Sequence, residues 1–199
     1  MVKEKISKIA AVLIVVAFII GAAVGYLIKD TTQTTHEFGT GENILKNSGF
    51  EDGTGTETTY WYKAYIYTEN LSMNWDDAEK YSGEKSVSIY NIHNYSEEVS
   101  NNWAQTISLF PVDKTLELSG WVKTVDAENV VMVIQCWGKD NNLTGFGTTQ
   151  TAYNITGTTD WTEYTASVYV PSDTESIIVR LALTGTGQVW FDNIELLVK

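Results

Sequence analysis

Four side chains in this 199-residue sequence have the shapes that hold a polyhydroxylated ring. In the run Val131-x-Val133-x-Gln135-x-Trp137, the alternate residues Val130, Met132, Ile134 and Cys136 form an unbroken apolar face. A strand turns such a face toward a core, which puts Gln135 and Trp137 on the other side. Trp103 and Gln105 likewise share one side of their strand and again pair a flat ring with an amide. An indole packs against the C–H face of a pyranose, while a carboxamide offers donors and an acceptor in fixed directions to its hydroxyl rim. Phe146, Trp61, Tyr65 and Trp75 are second-tier rings from adjacent strands or loops. For all of these the competing reading is packing beneath a loop.

Other chemistries find no support. Bond cleavage between sugars needs two carboxylates at a set separation. Asp76/Asp77 and Glu97/Glu98 are sequence neighbours, which a strand points to opposite faces, and no E-x-D-x-E run exists. His93 lies in a polar stretch with no G-x-S-x-G partner, and His36 lies in a Thr-rich spacer. No P-loop or G-x-G-x-x-G follows a strand, so a non-enzyme is expected. Cys136 is the only cysteine, which excludes an intrachain disulfide and a thiolate metal cluster. Lys and Arg total 13 against 25 Asp and Glu, a net charge of −12. Lys3, Lys5, Lys8 and Lys29 fall in the first 30 residues, so the remainder is more acidic still and repels nucleic acid. Arg180, the single arginine, projects opposite Val179 and Leu181. It is read either as a hydroxyl ligand or as the partner of a surface acid.

The elements that must position these groups begin after a separate leader. Residues 9–28 carry no charged side chain, enough to cross about 30 Å of hydrocarbon at about 1.5 Å per residue. With three lysines before this stretch, residues 1–8 are expected in the cytoplasm and everything after the transmembrane helix outside. A cleavable signal peptide is the competing reading. Residues 29–42 read as a polar linker. Asn70, Asn94, Asn142 and Asn154 open Asn-x-Ser/Thr sites compatible with an outside location. From residue 43 to 199, short β-branched and aromatic runs alternate with Gly, Asn, Asp and Ser, predicting an all-β sandwich of two antiparallel sheets.

Several segments, in order, carry a resemblance. They are Asn47-Ser-Gly-Phe-Glu51, Tyr81-Ser-Gly83, Trp103-Ala-Gln105, Leu118-Ser-Gly-Trp-Val-Lys-Thr124, Gly157-Thr-Thr-Asp-Trp161, Val170-Pro171 and Val189-Trp-Phe-Asp-Asn-Ile-Glu-Leu196. Together they resemble the galactose-binding-like jelly rolls, especially carbohydrate-binding modules of the family 4/9/22 type, over about residues 43 to 198. The resemblance implies a jelly-roll sandwich with a glycan cleft across the concave sheet, for which Trp103, Gln105, Gln135 and Trp137 are the best matches. It implies core positions for Trp161 and Trp190. It also implies a structural Ca²⁺ held by the Glu51 and Asp192 side chains and by backbone oxygens near Gly49 and around the Tyr81-Ser-Gly-Glu84 turn. Ca²⁺ suits such a set because it takes six to eight oxygen ligands in adaptable geometry. The partner implied is a polysaccharide or cell-envelope glycan. The same fold also serves as a structural or protein-interaction module, which is the rival reading.

Overall fold

The computed structural model describes residues 36–65, 69–96 and 99–199. The stretch 1–8, the expected anchor 9–28 and residues 29–35 of the expected linker lie outside the described residues. Among the described residues no helix is long and apolar enough to cross a membrane. They form eleven strands: β1 Gly53–Thr54, β2 Glu57–Thr58, β3 Tyr62–Ala64, β4 Leu71–Asp76, β5 Ser86–Asn91, β6 Ser100–Ile107, β7 Lys114–Gly138, β8 Leu143–Thr148, β9 Ile155–Val170, β10 Thr174–Thr184 and β11 Gly187–Val198. Every pairing among them is antiparallel.

β7 is 25 residues long and belongs to both layers of the sandwich. Its first half pairs β11 and β9, and its second half pairs β10 and β8. One layer therefore runs β4-β5-β11-β7-β9 and the other β3-β6-β10-β7-β8, joined through one strand into a nearly closed barrel-like sandwich. The strand changes layer where its ladder with β9 is interrupted, between Val122 and Val130. Asp126 there takes a φ of 47°. Gly187, at φ 115°, lies so close that a Cβ would sit 2.5 Å from the Ala127 Cα. Bulges of this kind are how a long strand turns a corner.

The alternation read from sequence holds on β7, β9 and β10. Leu116, Leu118, Val122, Val130, Met132, Ile134 and Cys136 of β7 meet Ile177, Val179, Leu181 and Leu183 of β10 and Val189, Phe191, Leu196 and Val198 of β11 in one core. The last strand also receives the start of the domain. Asn43 bridges Leu197, and the Gly41 N–H donates to the Val198 carbonyl at 2.7 Å.

Candidate functional site

The second half of β7 presents Val131, Val133, Gln135 and Trp137 on its outer side, as the alternation predicts. β10 sets Ile178 beside Gln135 and Arg180 beside Val133, while β8 sets Phe146 beside Gln135. β6 brings Ala104 next to Arg180 and Asn102 next to Ala182, and β3 adds Tyr62 beside Ala104.

Arg180 organises this face. It is 2% exposed, and its Nε donates to Gln135 Oε1 at 2.9 Å and its Nη1 to Asn102 Oδ1 at 3.0 Å. Burial disfavours the charged guanidinium and lowers its pKa, with Tyr62 acting in the opposite direction. Because Arg180 holds the oxygen of the Gln135 amide, the amide nitrogen is turned away. That nitrogen is buried without a hydrogen-bond partner, and so is the indole N–H of Trp137 two residues along the same face. An unsatisfied buried donor costs about 1–3 kcal/mol, and native structures tolerate few of them. Both orphans are donors, so both call for an acceptor oxygen. Val131, Val133 and Ala182 are 0–1% exposed, whereas Trp137 and Phe146 are half-buried. The face is therefore accessible at its Trp137 and Phe146 end and at its β3 edge, where Tyr62 is 42% exposed.

The other expected contacts are elsewhere. Trp103 is fully buried in the core, with its indole N–H donating to the Ser88 carbonyl at 3.1 Å, so it shares no groove with Trp137. Gln105 faces the same way. Its Oε1 accepts from the Lys46 N–H at 2.8 Å and its Nε2 donates to the Lys46 carbonyl at 2.9 Å, which clasps the domain's first segment. It also borders a cleft of about 450 Å³ at the end of the sandwich, with Phe38, Lys46 and Tyr60. The signal was in the sequence: Ile107 has the same parity as Trp103 and Gln105, and an apolar strand end marks the inward side. Trp61 is buried against Phe50, and Trp75 donates to the Phe50 carbonyl at 2.6 Å. Both rings pack rather than wait for a ligand. Tyr65 is 49% exposed just beyond β3. Asn102 is the member of the site that ring-and-amide reasoning missed, and Arg180, left open between a hydroxyl ligand and an acid's partner, joins it. Asn102 stands opposite Trp103 in strand phase, and Arg180 is bonded to amides inside the fold rather than placed at the surface as an acid's partner.

Of the two tryptophans expected to be packed inside, Trp190 is buried at 7% exposure, outside the main cluster, and donates to Asp76 Oδ2 at 3.0 Å, whereas Trp161 takes another position. Trp161 is half-buried on the outer face of the first layer, tilted against Tyr81 with ring centres 6.1 Å apart. Tyr81 itself stacks on Trp121 at 3.8 Å and 9°.

The Glu51 and Asp192 side chains, expected around Ca²⁺, both meet the 81–84 turn, through its N–H groups. Asp192 is fully buried, with Oδ2 accepting from the Tyr81 N–H at 2.8 Å and the Ser82 N–H at 3.0 Å, and Oδ1 from the Asn193 N–H at 2.7 Å. Glu51 accepts from the Glu84 N–H at 3.0 and 3.1 Å. Gly83, at φ +62°, lets that turn close over Glu51, whose carboxylate a Cβ would overlap. Burial is the main influence raising the Asp192 pKa, and the Glu51 charge adds to it. The amides of Ser82, Asn193 and Tyr81 oppose the rise. A buried carboxylate, Asp192, and an exposed one, Glu51, thus meet at one exposed turn, and each keeps lone pairs beyond its amide bonds. Gly49 lies beside them, its Cβ position 3.8 Å from Glu51 Cγ. An anionic, all-oxygen set of this kind fits Ca²⁺. Among the described residues no three His, Cys, Asp or Glu side chains gather to hold a metal, so further ligands would be carbonyls.

No protein-family model matches the sequence, and no curated protein matches it. Solved structures do share its fold. The CBM22-1 xylan-binding domain of Paenibacillus barcinonensis Xyn10C superposes with a TM-score of 0.54 at 13% identity, covering 80% of this chain and 96% of that one. TmCBM61, solved in complex with β-1,4-galactotriose, gives 0.52 at 17% identity, covering 79% and 99%. The enzymatically active domain of bacteriophage CBA120 tailspike protein 4 gives 0.57 at 15% identity. The match covers 79% of this chain but only 21% of the tailspike chain. The chain therefore shares the β-sandwich fold of these solved carbohydrate-binding domains.

Proposed function

We propose that this protein is a non-catalytic carbohydrate-binding module. It binds a glycan at the Gln135 and Trp137 end of the β8-β7-β10 face and is held at the outside of a cell membrane by residues 9–28. The observation that carries the reading is the pair of buried, partnerless donors, Gln135 Nε2 and Trp137 Nε1, on one strand face beside Arg180. Gln135 is fully buried, so a sugar reaches these donors by shifting the half-buried Trp137 and Phe146 rings, and then supplies what they lack: hydroxyl and ring oxygens as acceptors, and a C–H face for the two rings. Arg180 and Asn102 act one step back, fixing the direction of the Gln135 amide. The xylan- and galactotriose-binding neighbours support this choice of ligand class. A Ca²⁺ held by Glu51 and Asp192 ties the first segment, the 81–84 turn and the last strand together and is structural.

Calorimetry of the full chain against xylans, β-glucans, β-1,4-galactans and cell-wall glycans tests the reading. Binding by at least one glycan, lost in Trp137→Ala and weakened in Gln135→Ala with the melting transition preserved, is expected. The rival reading, a cell-surface scaffold of the same fold, is favoured by the sealed Val131, Val133 and Ala182 cluster. It predicts no glycan binding and would stand if the whole panel were silent.

A further inference from the structure

The outer face of the other layer carries an aromatic group that the first site does not use. Trp121 projects from β7 away from the core, between the inward-facing Gly120 and Val122, with Glu163 of β9 beside it. Tyr81 lies flat on it, ring centres 3.8 Å apart and planes within 9°. Tyr81 is 41% exposed. A ring stacked on one side and open on the other presents its second face to water. Trp161 meets it at 59°, so the two rings make a corner rather than a flat patch. Lys123, held by Glu79 at 2.8 Å, stands on the same side of β7 and borders the corner with polar groups.

We propose that Tyr81, Trp121 and Trp161 form a second glycan contact, on the side of the sandwich opposite Gln135 and Trp137, which takes one pyranose unit of an uncharged chain. The open Tyr81 face matches the C–H face of a sugar ring, Trp161 closes one side, and Lys123, Glu79 and Glu163 are in place for the hydroxyl rim. A protein partner fits less well, because three rings offer far less than the roughly 800 Å² per side of a stable protein interface. A polyanionic glycan fits less well too, since Glu79, Glu163 and the net charge of −12 repel it. With a site on each side, one molecule bridges two chains or two segments of one chain, and the linkage raises the effective concentration at the second contact.

The test is titration of the full chain with xylohexaose, β-1,4-galactotriose and cellohexaose, read by calorimetric stoichiometry and tryptophan fluorescence. Two sites per chain are expected, falling to one in Trp137→Ala and to one in Tyr81→Ala or Trp161→Ala, with Tyr81→Phe retaining both. Trp161 is carried by β9 rather than by the 81–84 turn, so its variant removes a ring of the contact without changing a residue of that turn. Full loss of binding in Trp137→Ala overturns this proposal and leaves the first site standing. Retained binding in Trp137→Ala that Tyr81→Ala abolishes supports the shelf and sinks the first site. Silence of all three sugars on the wild-type chain overturns the shelf.

Discussion

Trp103 and Trp137 show how one residue type serves two ends in neighbouring strands. Trp103 fills the core and has its N–H satisfied by Ser88. Trp103→Ala should therefore destabilise by about 3–5 kcal/mol, as expected for a buried tryptophan, seen as a lower denaturant midpoint. Glycan affinity of the remaining folded fraction should be unchanged. Trp137 carries an unsatisfied donor instead, so its variants should behave in the opposite way. Trp137→Phe removes the orphaned N–H while keeping a ring, and stability should stay within about 1 kcal/mol of wild type because the lost packing is offset by the lost desolvation penalty. Binding should weaken by about tenfold, the worth of one hydrogen bond, measured by calorimetry. A large stability loss in Trp137→Phe would show that the indole is held by packing alone.

At the level of elements, the legible part of the fold was that carried by period-two runs with one clean apolar face. β7, β9 and β10 have such runs, and the outward placement of Gln135 and Trp137 followed directly. β6 was harder because Trp103 and Gln105 are amphipathic, and only Ile107 at its end discloses which side is inward. Trp161 was misplaced for a different reason: the motif resemblance put it in the core, although its parity is opposite to that of the inward-facing Tyr164, Val168 and Val170 on the same strand. The irregular stretch of β7 between Val122 and Val130 lets one strand serve both layers, and Gly187 is the residue that permits the close approach there. Gly187→Ala would press a methyl group into the Ala127 backbone at an unfavourable positive φ, costing about 1–3 kcal/mol. Cys136 reports the outcome. Burial pushes its thiol pKa up to about 11, so it should resist alkylation in the native chain near pH 8. In Gly187→Ala it should label faster, in proportion to the larger unfolded population.

For the whole molecule, the question is what balances so many acids. Lys85, which follows the 81–84 turn, reaches toward Asp77 and the Trp75 ring rather than toward Asp192. Asp192 is buried and its pKa raised, first by desolvation and then by the Glu51 charge, so the ionised pair is a local liability that a divalent cation would reverse. Since Glu51, the 81–84 turn and Asp192 come from distant parts of the chain, they are brought together only by folding, and so would be the ligands of the proposed calcium. Calcium should then stabilise the protein by mass action, by about 2.7 kcal/mol at a hundred times the dissociation constant. Thermal melts in EDTA and in millimolar CaCl₂ should differ by several degrees, and Asp192→Asn should erase the difference. Trp137 lies on the other layer, so glycan affinity at its site should be the same in folded protein with and without calcium. A calcium-independent melting temperature in the wild-type chain would mean that the backbone amides of the 81–84 turn alone hold the two carboxylates.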